Sequence, residues 1–307
     1  ARPDRLRGDG AVRAGTGGAA FRAAARALLP GVALLRAGRA LRQRIRRPCP
    51  RPVRAAAGDG AGAAIGTPEI WAQLETQTAL TGETPWKSLD LPVRPPMLPL
   101  FGKVKSFLMT PQMVVSSRPV PPPSTKSEQF AKELAEIKNY SENATRERQK
   151  IVTFWADGVG TYTPPGHWNA IAAESFVEQN YSEVRWARNM ALLNVAMMDA
   201  AISCWDAKYF YFNPRPSQMD SSIKTTTGLP NFPSYVSGHS TFSGAACIVL
   251  SHIIPAKAQS YQLMAKQASD SRMFGAIHYR SDCEKGLILG ETVGNFAVTR
   301  ATIDGAE

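Results

Sequence analysis

Between residues 127 and 301 the chain carries seven stretches patterned for helices and no sustained apolar–polar alternation of the kind a half-buried strand needs. The spacing predicts helices over roughly 127–138, 143–157, 167–179, 181–209, 239–253, 256–274 and 281–301. Helices with no convincing strands among them and no internal repeat bury their apolar faces against one another, so the expected class is all-α, a helical bundle. Ser141 to Asn143 offer N-caps for the second helix, and the turn Thr161-Tyr162-Thr163-Pro164-Pro165-Gly166 precedes the third. Before this region, from Thr67 to Lys126, Pro92, Pro95, Pro96, Pro99 and the Pro119–Pro123 cluster predict extended connections wrapped around a core.

Charge separates a further segment. The net charge of +11 over 307 residues would ordinarily raise nucleic acid or an anionic membrane as a partner, but residues 1–64 hold 14 Arg, no Lys and only Asp4, Asp9 and Asp59, which accounts for all of it. The remainder is neutral, so nucleic acid is not an expected partner of the folded part. The domain is therefore expected over 65–307, with 1–64 an Arg/Ala/Gly-rich appendage whose composition favours solvated chain. That segment lacks the apolar core and cleavage pattern of a secretory signal. No apolar run reaches the roughly 18–20 residues of a membrane span, because Asp199 and Asp206 interrupt the longest candidate. Cys49, Cys204, Cys247 and Cys283 are too scattered for a disulfide framework and read as buried thiols.

Three segments carry chemistry. In the first, Lys208 ends a long helix, and Pro214 and Pro216 turn the chain so that Arg215 can stand beside it. A lysine point charge and an arginine fork both suit an oxyanion. In the second, Ser237 and Gly238 open a helix at Ser237-Gly238-His239, where free amides and the positive end of the dipole bind anions, and His239 can act as acid or base. In the third, Arg272 and His278 are six positions apart, which puts them on different faces of any continuous helix. A break near Gly275 is required for both to converge. His278 and Asp282, four apart, share a face, so the carboxylate can take the Nδ1 proton and leave a lone pair on Nε2. Singly, each segment has an ordinary reading: surface cations, a capped helix start, a buried histidine satisfied by a carboxylate.

Together they match K-x6-R-P, S-G-H and S-R-x5-H-x3-D, and on these motifs the chain resembles the superfamily that joins vanadium-dependent haloperoxidases with acid and phosphatidic-acid phosphatases. Phe154-Trp155-Ala156-Asp157-Gly158 and Tyr162-Thr163-Pro164-Pro165-Gly166-His167-Trp168 are similar to the bacterial haloperoxidases. The resemblance implies vanadate as cofactor, with phosphate able to occupy the same site. It assigns Lys208, Arg215, Arg272, Ser237 and Gly238 to the vanadate oxygens, His278 to the metal, and Lys208 and His239 to catalysis. It further implies hydrogen peroxide, halide and a small organic molecule as substrates, and an exported bacterial protein. Trp205 and Phe232 fall where fungal chloroperoxidases have aromatics beside the halide, with core packing as the alternative reading. Asp157 resembles an aspartate that pairs with the second arginine, here Arg272, or is simply a helix-surface carboxylate. Val236 stands where the motif usually has proline, a departure that affects loop rigidity and removes no ligand. An acid phosphatase would use His278 as the phosphoryl-accepting nucleophile and His239 as the acid. A non-catalytic oxyanion-binding protein is the third reading, since the part preceding the motifs is short against relatives with two helical bundles. Association into a homo-oligomer stays open.

Overall fold

The computed structural model describes residues 84–305, all within the compact unit Ala56–Glu307. The basic segment 1–64 and its expected character lie outside the described residues, as does Cys49. Every regular element among the described residues is helical, so the protein is all-α. In chain order the α-helices are α1 (Pro111–Ser116), α2 (Glu128–Glu142), α3 (Arg146–Phe154), α4 (Thr163–Glu178), α5 (Glu183–Tyr211), α6 (Pro216–Met219), α7 (Gly238–Ile253), α8 (Ala258–Phe274) and α9 (Arg280–Ile303), with 3-10 turns at Phe101–Lys103 and Pro255–Lys257.

The helix starts follow local chemistry. Ser127, Thr145, Ser182 and Ser237 each accept a hydrogen bond from the amide three residues on, satisfying a donor that the helix itself leaves orphaned. The cap of α3 is thus Thr145, not the expected Ser141 to Asn143, because α2 runs on to Glu142 and Asn143 closes it. Helix α4 begins four residues before the expected start, since Pro164 and Pro165 need no amide partner in a first turn.

Helix α5 is buried on all sides from Asp199 to Tyr209, and α7 is buried over nearly its whole length, so these two form the centre. Helices α4, α8 and α9 pack around them. The α7–α9 contact is backbone to backbone: a Cβ on Gly290 would lie 2.1 Å from the Thr241 carbonyl oxygen, and one on Gly244 2.4 Å from that of Leu287. Because the obstacle is a helix backbone, it cannot swing aside. Gly290→Ala gains about 1 kcal/mol of helix propensity, but wedging apart two packed helices costs about 1–3 kcal/mol or more. A net loss of stability is expected, read as a lowered urea midpoint, and an unchanged or raised midpoint would show that the helices can separate freely.

Residues 84–126 of the proline-punctuated part lie over this centre as an extended strap broken by α1 and a 3-10 turn. Polar side chains of the core tie it down by its backbone carbonyls. The hydroxyls of Tyr209, Tyr211 and Tyr235 donate to Met97, Pro119 and Val120, and the Asn231 amide donates to Arg94 and Pro95. Cys204, Cys247 and Cys283 are free and buried, as expected. Among the described residues no helix is long and apolar enough to cross a membrane.

Candidate oxyanion site

Four helices deliver the predicted groups to one place. Lys208 lies in the last turn of α5, which ends when Phe212 adopts a left-handed conformation. Its side chain is fully buried, and Nζ donates to the carbonyls of Pro233 and Ser234, both at 2.9 Å. An ammonium has three donors, so one remains for a ligand. Arg215, in the turn between α5 and α6, is 1% exposed. Its Nε donates to Phe232 O at 3.1 Å and its Nη1 to Ile277 O at 2.7 Å, while Nη2 is buried with no protein partner. The chain does break after Phe274, with Gly275 closing α8, so Arg272 at the end of α8 and His278 just before α9 converge.

The tautomer of His278 follows from its neighbours. Arg215 Nη1 lies 3.0 Å from Nε2, and a guanidinium can only donate, so Nε2 carries the lone pair. The proton is therefore on Nδ1, which donates to Asp282 Oδ2 at 2.8 Å. The same carboxylate oxygen accepts from Ser234 Oγ at 2.5 Å and from the Tyr279 amide at 3.1 Å, which locks the imidazole in orientation. Ser234 was not singled out in the sequence; its hydroxyl three residues before Ser237 was the available signal.

Ser237 caps α7, its amide donates to the Asp282 carbonyl at 2.9 Å, and its Oγ accepts from the Ser240 amide. Its own hydroxyl proton is left to donate. Gly238 and His239 occupy the first two helical positions, whose amides have no partner within any helix. His239 is half-buried, backbone groups of Trp155 and Ala156 hydrogen-bond to its ring, and its Nε2 is buried and unpartnered. Trp205 and Phe232 pack together with centroids 5.1 Å apart, and Trp205 also borders Gly238 and stacks edge-on to Phe101. The Phe232 ring lies under both Lys208 and Arg215. Both aromatics thus wall the site, and Trp205 Nε1 is a further buried donor without a partner.

Asp157 requires a correction. Its carboxylate hydrogen-bonds to His167 Nδ1, at 3.0 and 3.2 Å, rather than pairing with Arg272. It is buried rather than on a helix surface, and its charge acts on Arg272 from a distance. Arg272 spends Nε on Ser271 Oγ and Nη2 on the Val152 carbonyl.

The electrostatics call for an anion. With all five groups ionised, Lys208, Arg215 and Arg272 exceed the two carboxylates, Asp157 and Asp282, by one positive charge in a buried setting. Burial pushes Lys208 down to about 7 and each arginine to about 10. Burial, reinforced by the surrounding cations, holds His239 and His278 well below the usual histidine range. Burial raises Asp282 to about 6. A tetrahedral oxyanion offers acceptors to Arg215 Nη2, to the spare Lys208 donor and to the amides at the start of α7, so the orphaned donors fit vanadate or phosphate.

Residues 189–302 match the PAP2 superfamily, a stretch that contains every motif residue from Trp205 to Asp282. No curated protein matches the chain. Among solved structures, a bacterial vanadium-dependent iodoperoxidase is similar at 29% identity and a TM-score of 0.64, covering 75% of this chain and 64% of that one. A bacterial vanadium-dependent chloroperoxidase is similar at 14% identity in apo form (TM-score 0.57, 67% of this chain, 56% of that one) and in holo form (TM-score 0.57, 79% and 67%). At that identity the chloroperoxidase speaks for the fold alone. Over residues 189–302 the chain matches the PAP2 superfamily, and the resemblance that the motifs implied is borne out there. It spans less than two thirds of the iodoperoxidase's length.

Proposed function

We propose that this protein is a vanadium-dependent haloperoxidase that oxidises halide with hydrogen peroxide and passes the oxidised halogen to a small organic acceptor. The observation that carries the reading is the His278 Nε2 lone pair, fixed by Asp282 and met by Arg215 Nη1, on the same guanidinium whose Nη2 is buried without a protein partner. The 29% identity to a bacterial vanadium-dependent iodoperoxidase supports the choice of chemistry.

Vanadate, when bound, supplies a Lewis-acidic centre that activates peroxide toward halide. The protein supplies the rest. His278 would hold the metal through Nε2, while Arg215, Arg272, Lys208, the Ser237 hydroxyl and the Gly238 amide would hold the oxygens and neutralise their charge. His239 presents Nε2 to the same space and is the group placed to exchange a proton there. Lys208 keeps one N–H donor for the reacting oxygen. Trp205 and Phe232 exclude water on one side and give a polarisable wall for a halide.

Assays of the purified chain after vanadate loading test this. Halide oxidation that requires peroxide, is seen with at least one of iodide, bromide and chloride, and is inhibited by phosphate is expected. Phosphate-ester hydrolysis without halide oxidation would establish a phosphatase instead. Tight vanadate binding with neither activity would establish an oxyanion-binding protein.

A further inference from the structure

Ser234 lies between α6 and α7, three residues before the cap Ser237, and is fully buried. Each of its polar groups is spent on another part of the site. Its amide donates to the Asn213 carbonyl at 3.0 Å, its carbonyl accepts from Lys208 Nζ at 2.9 Å, and its hydroxyl donates to Asp282 Oδ2 at 2.5 Å. The hydroxyl oxygen also stands 3.4 Å from His278 Nδ1. One residue thereby joins the segment of Lys208 and Arg215 to the segment of His278 and Asp282. The two backbone bonds are open to any residue with an amide, but the bond to Asp282 needs a side-chain donor.

Asp282 shows what that donor is for. Ser234 Oγ, His278 Nδ1 and the Tyr279 amide all converge on Oδ2, whereas Oδ1 is buried without a partner. A buried acceptor left unpaired is costly, so this carboxylate keeps its orientation only because its other oxygen is pinned. His278 is the group to be aimed, and Tyr279 belongs to the same turn of chain. Ser234 is the one of the three donors that comes from elsewhere, 48 positions away in the chain, and so fixes the pair relative to the rest of the site. Of the two oxyanions that suit the donors, phosphate takes hydrogen bonds alone, while vanadate also takes a nitrogen lone pair and therefore depends on where the imidazole points. We propose that Ser234 is a positioning residue that, through Asp282, aims His278 and so sets the preference of the site for vanadate over phosphate.

The inference rests on the vanadate reading proposed above, and calorimetric titration of vanadate and of inorganic phosphate into the full chain tests the two separately. Wild type is expected to bind vanadate more tightly than phosphate. Equal affinities, or no binding of either anion, overturn that reading and this inference with it. Ser234→Ala keeps both backbone bonds, and with them the seat of Lys208, and removes only the hydroxyl. It is expected to weaken vanadate about 10-fold, the lower end of the range for a lost outer partner of a metal ligand, and phosphate by less than about 2-fold. Ser234→Cys offers a weak S–H donor from the same carbon, so its vanadate affinity is expected between those of alanine and serine. It carries the test if the alanine variant does not fold. A merely structural role for the hydroxyl predicts that both anions weaken together. Equal weakening of the two, or an unchanged preference in Ser234→Ala where wild type prefers vanadate, overturns the proposal and leaves the vanadate reading standing.

Discussion

Acidifying the ligand-free protein from about pH 7.5 to about pH 5 is expected to destabilise it by up to about 3 kcal/mol through this site, and a saturating oxyanion is expected to offset that loss. His239 and His278 are both held well below 6.5 when folded, so below that pH the unfolded chain binds protons that the folded chain refuses. Their stabilising contribution is complete above about 6.5 and is lost as pH falls toward their folded values, with the ordinary value of 6.5 capping the loss at about 2 kcal/mol per histidine by pH 5. Asp282 works in the other direction. Its folded value, about 6, lies above the ordinary 3.8, so the folded state takes up a proton first and gains roughly 1 kcal/mol by pH 5. Lys208, lowered to about 7, titrates in the same window and acts with the histidines, and together they outweigh the one carboxylate, which sets the sign.

An anion reduces the histidine contribution, because it offsets the repulsion from Arg215, Lys208 and Arg272 that adds to burial in disfavouring the imidazolium. Phosphate at about 100 times its dissociation constant adds a further stabilisation near 3 kcal/mol. Urea unfolding at several pH values, with and without phosphate, checks this. Other buried acids, Asp199 among them, also titrate, so the slope is compared with that of His239→Gln, in which one of the two contributions is gone. Identical slopes for the two proteins would show that His239 does not control acid stability.

The parts of this site that could be read in the sequence are those set by short-range rules. Pro214 and Pro216 bracket Arg215; Ser237 and Gly238 open a helix; His278 and Asp282 are one turn apart; Gly275 ends a helix that geometry required to end. Each depends on fewer than ten residues. The glycines of α9 at 286, 290 and 294 could also have been read, since a four-residue spacing marks one helix face. What stayed illegible depends on chain separated by loops. Asp157 and His167 face each other across a connection in which Asp157, Gly160 and Thr163 all take positive φ, so no helical or strand spacing relates them. The backbone carbonyls of Phe232, Pro233, Ser234 and Ile277 that hold Lys208 and Arg215 have no residue-type signature at all. The Tyr209, Tyr211 and Tyr235 anchors of the strap were hidden for another reason: buried tyrosines look alike until their hydroxyl partners are known.

Replacing the two histidines separately is expected to divide anchoring from turnover. His278→Ala removes the only nitrogen lone pair in the site that is fixed by a carboxylate, and it leaves Asp282 and Arg215 without the ring that spaces them. Vanadate affinity should fall by at least about 100-fold, beyond the 10–100-fold seen when an outer partner of a metal ligand is lost. Phosphate, which needs only the donors, should lose far less. His239→Ala removes a group that makes no contact with the other donors and whose Nε2 has no protein partner, so vanadate affinity should stay within about 10-fold of wild type. Proton exchange is what goes missing, and a positioned general acid or base is worth about 10²–10⁴ in rate. Halide oxidation by His239→Ala should therefore fall at least about 100-fold with the cofactor still bound. Calorimetric titration of vanadate and of phosphate into both variants, alongside steady-state assays at saturating vanadate, decides the matter. Equal loss of vanadate affinity in the two variants, or near-normal turnover by His239→Ala, would mean that the carboxylate behind His278 does not distinguish anchor from acid.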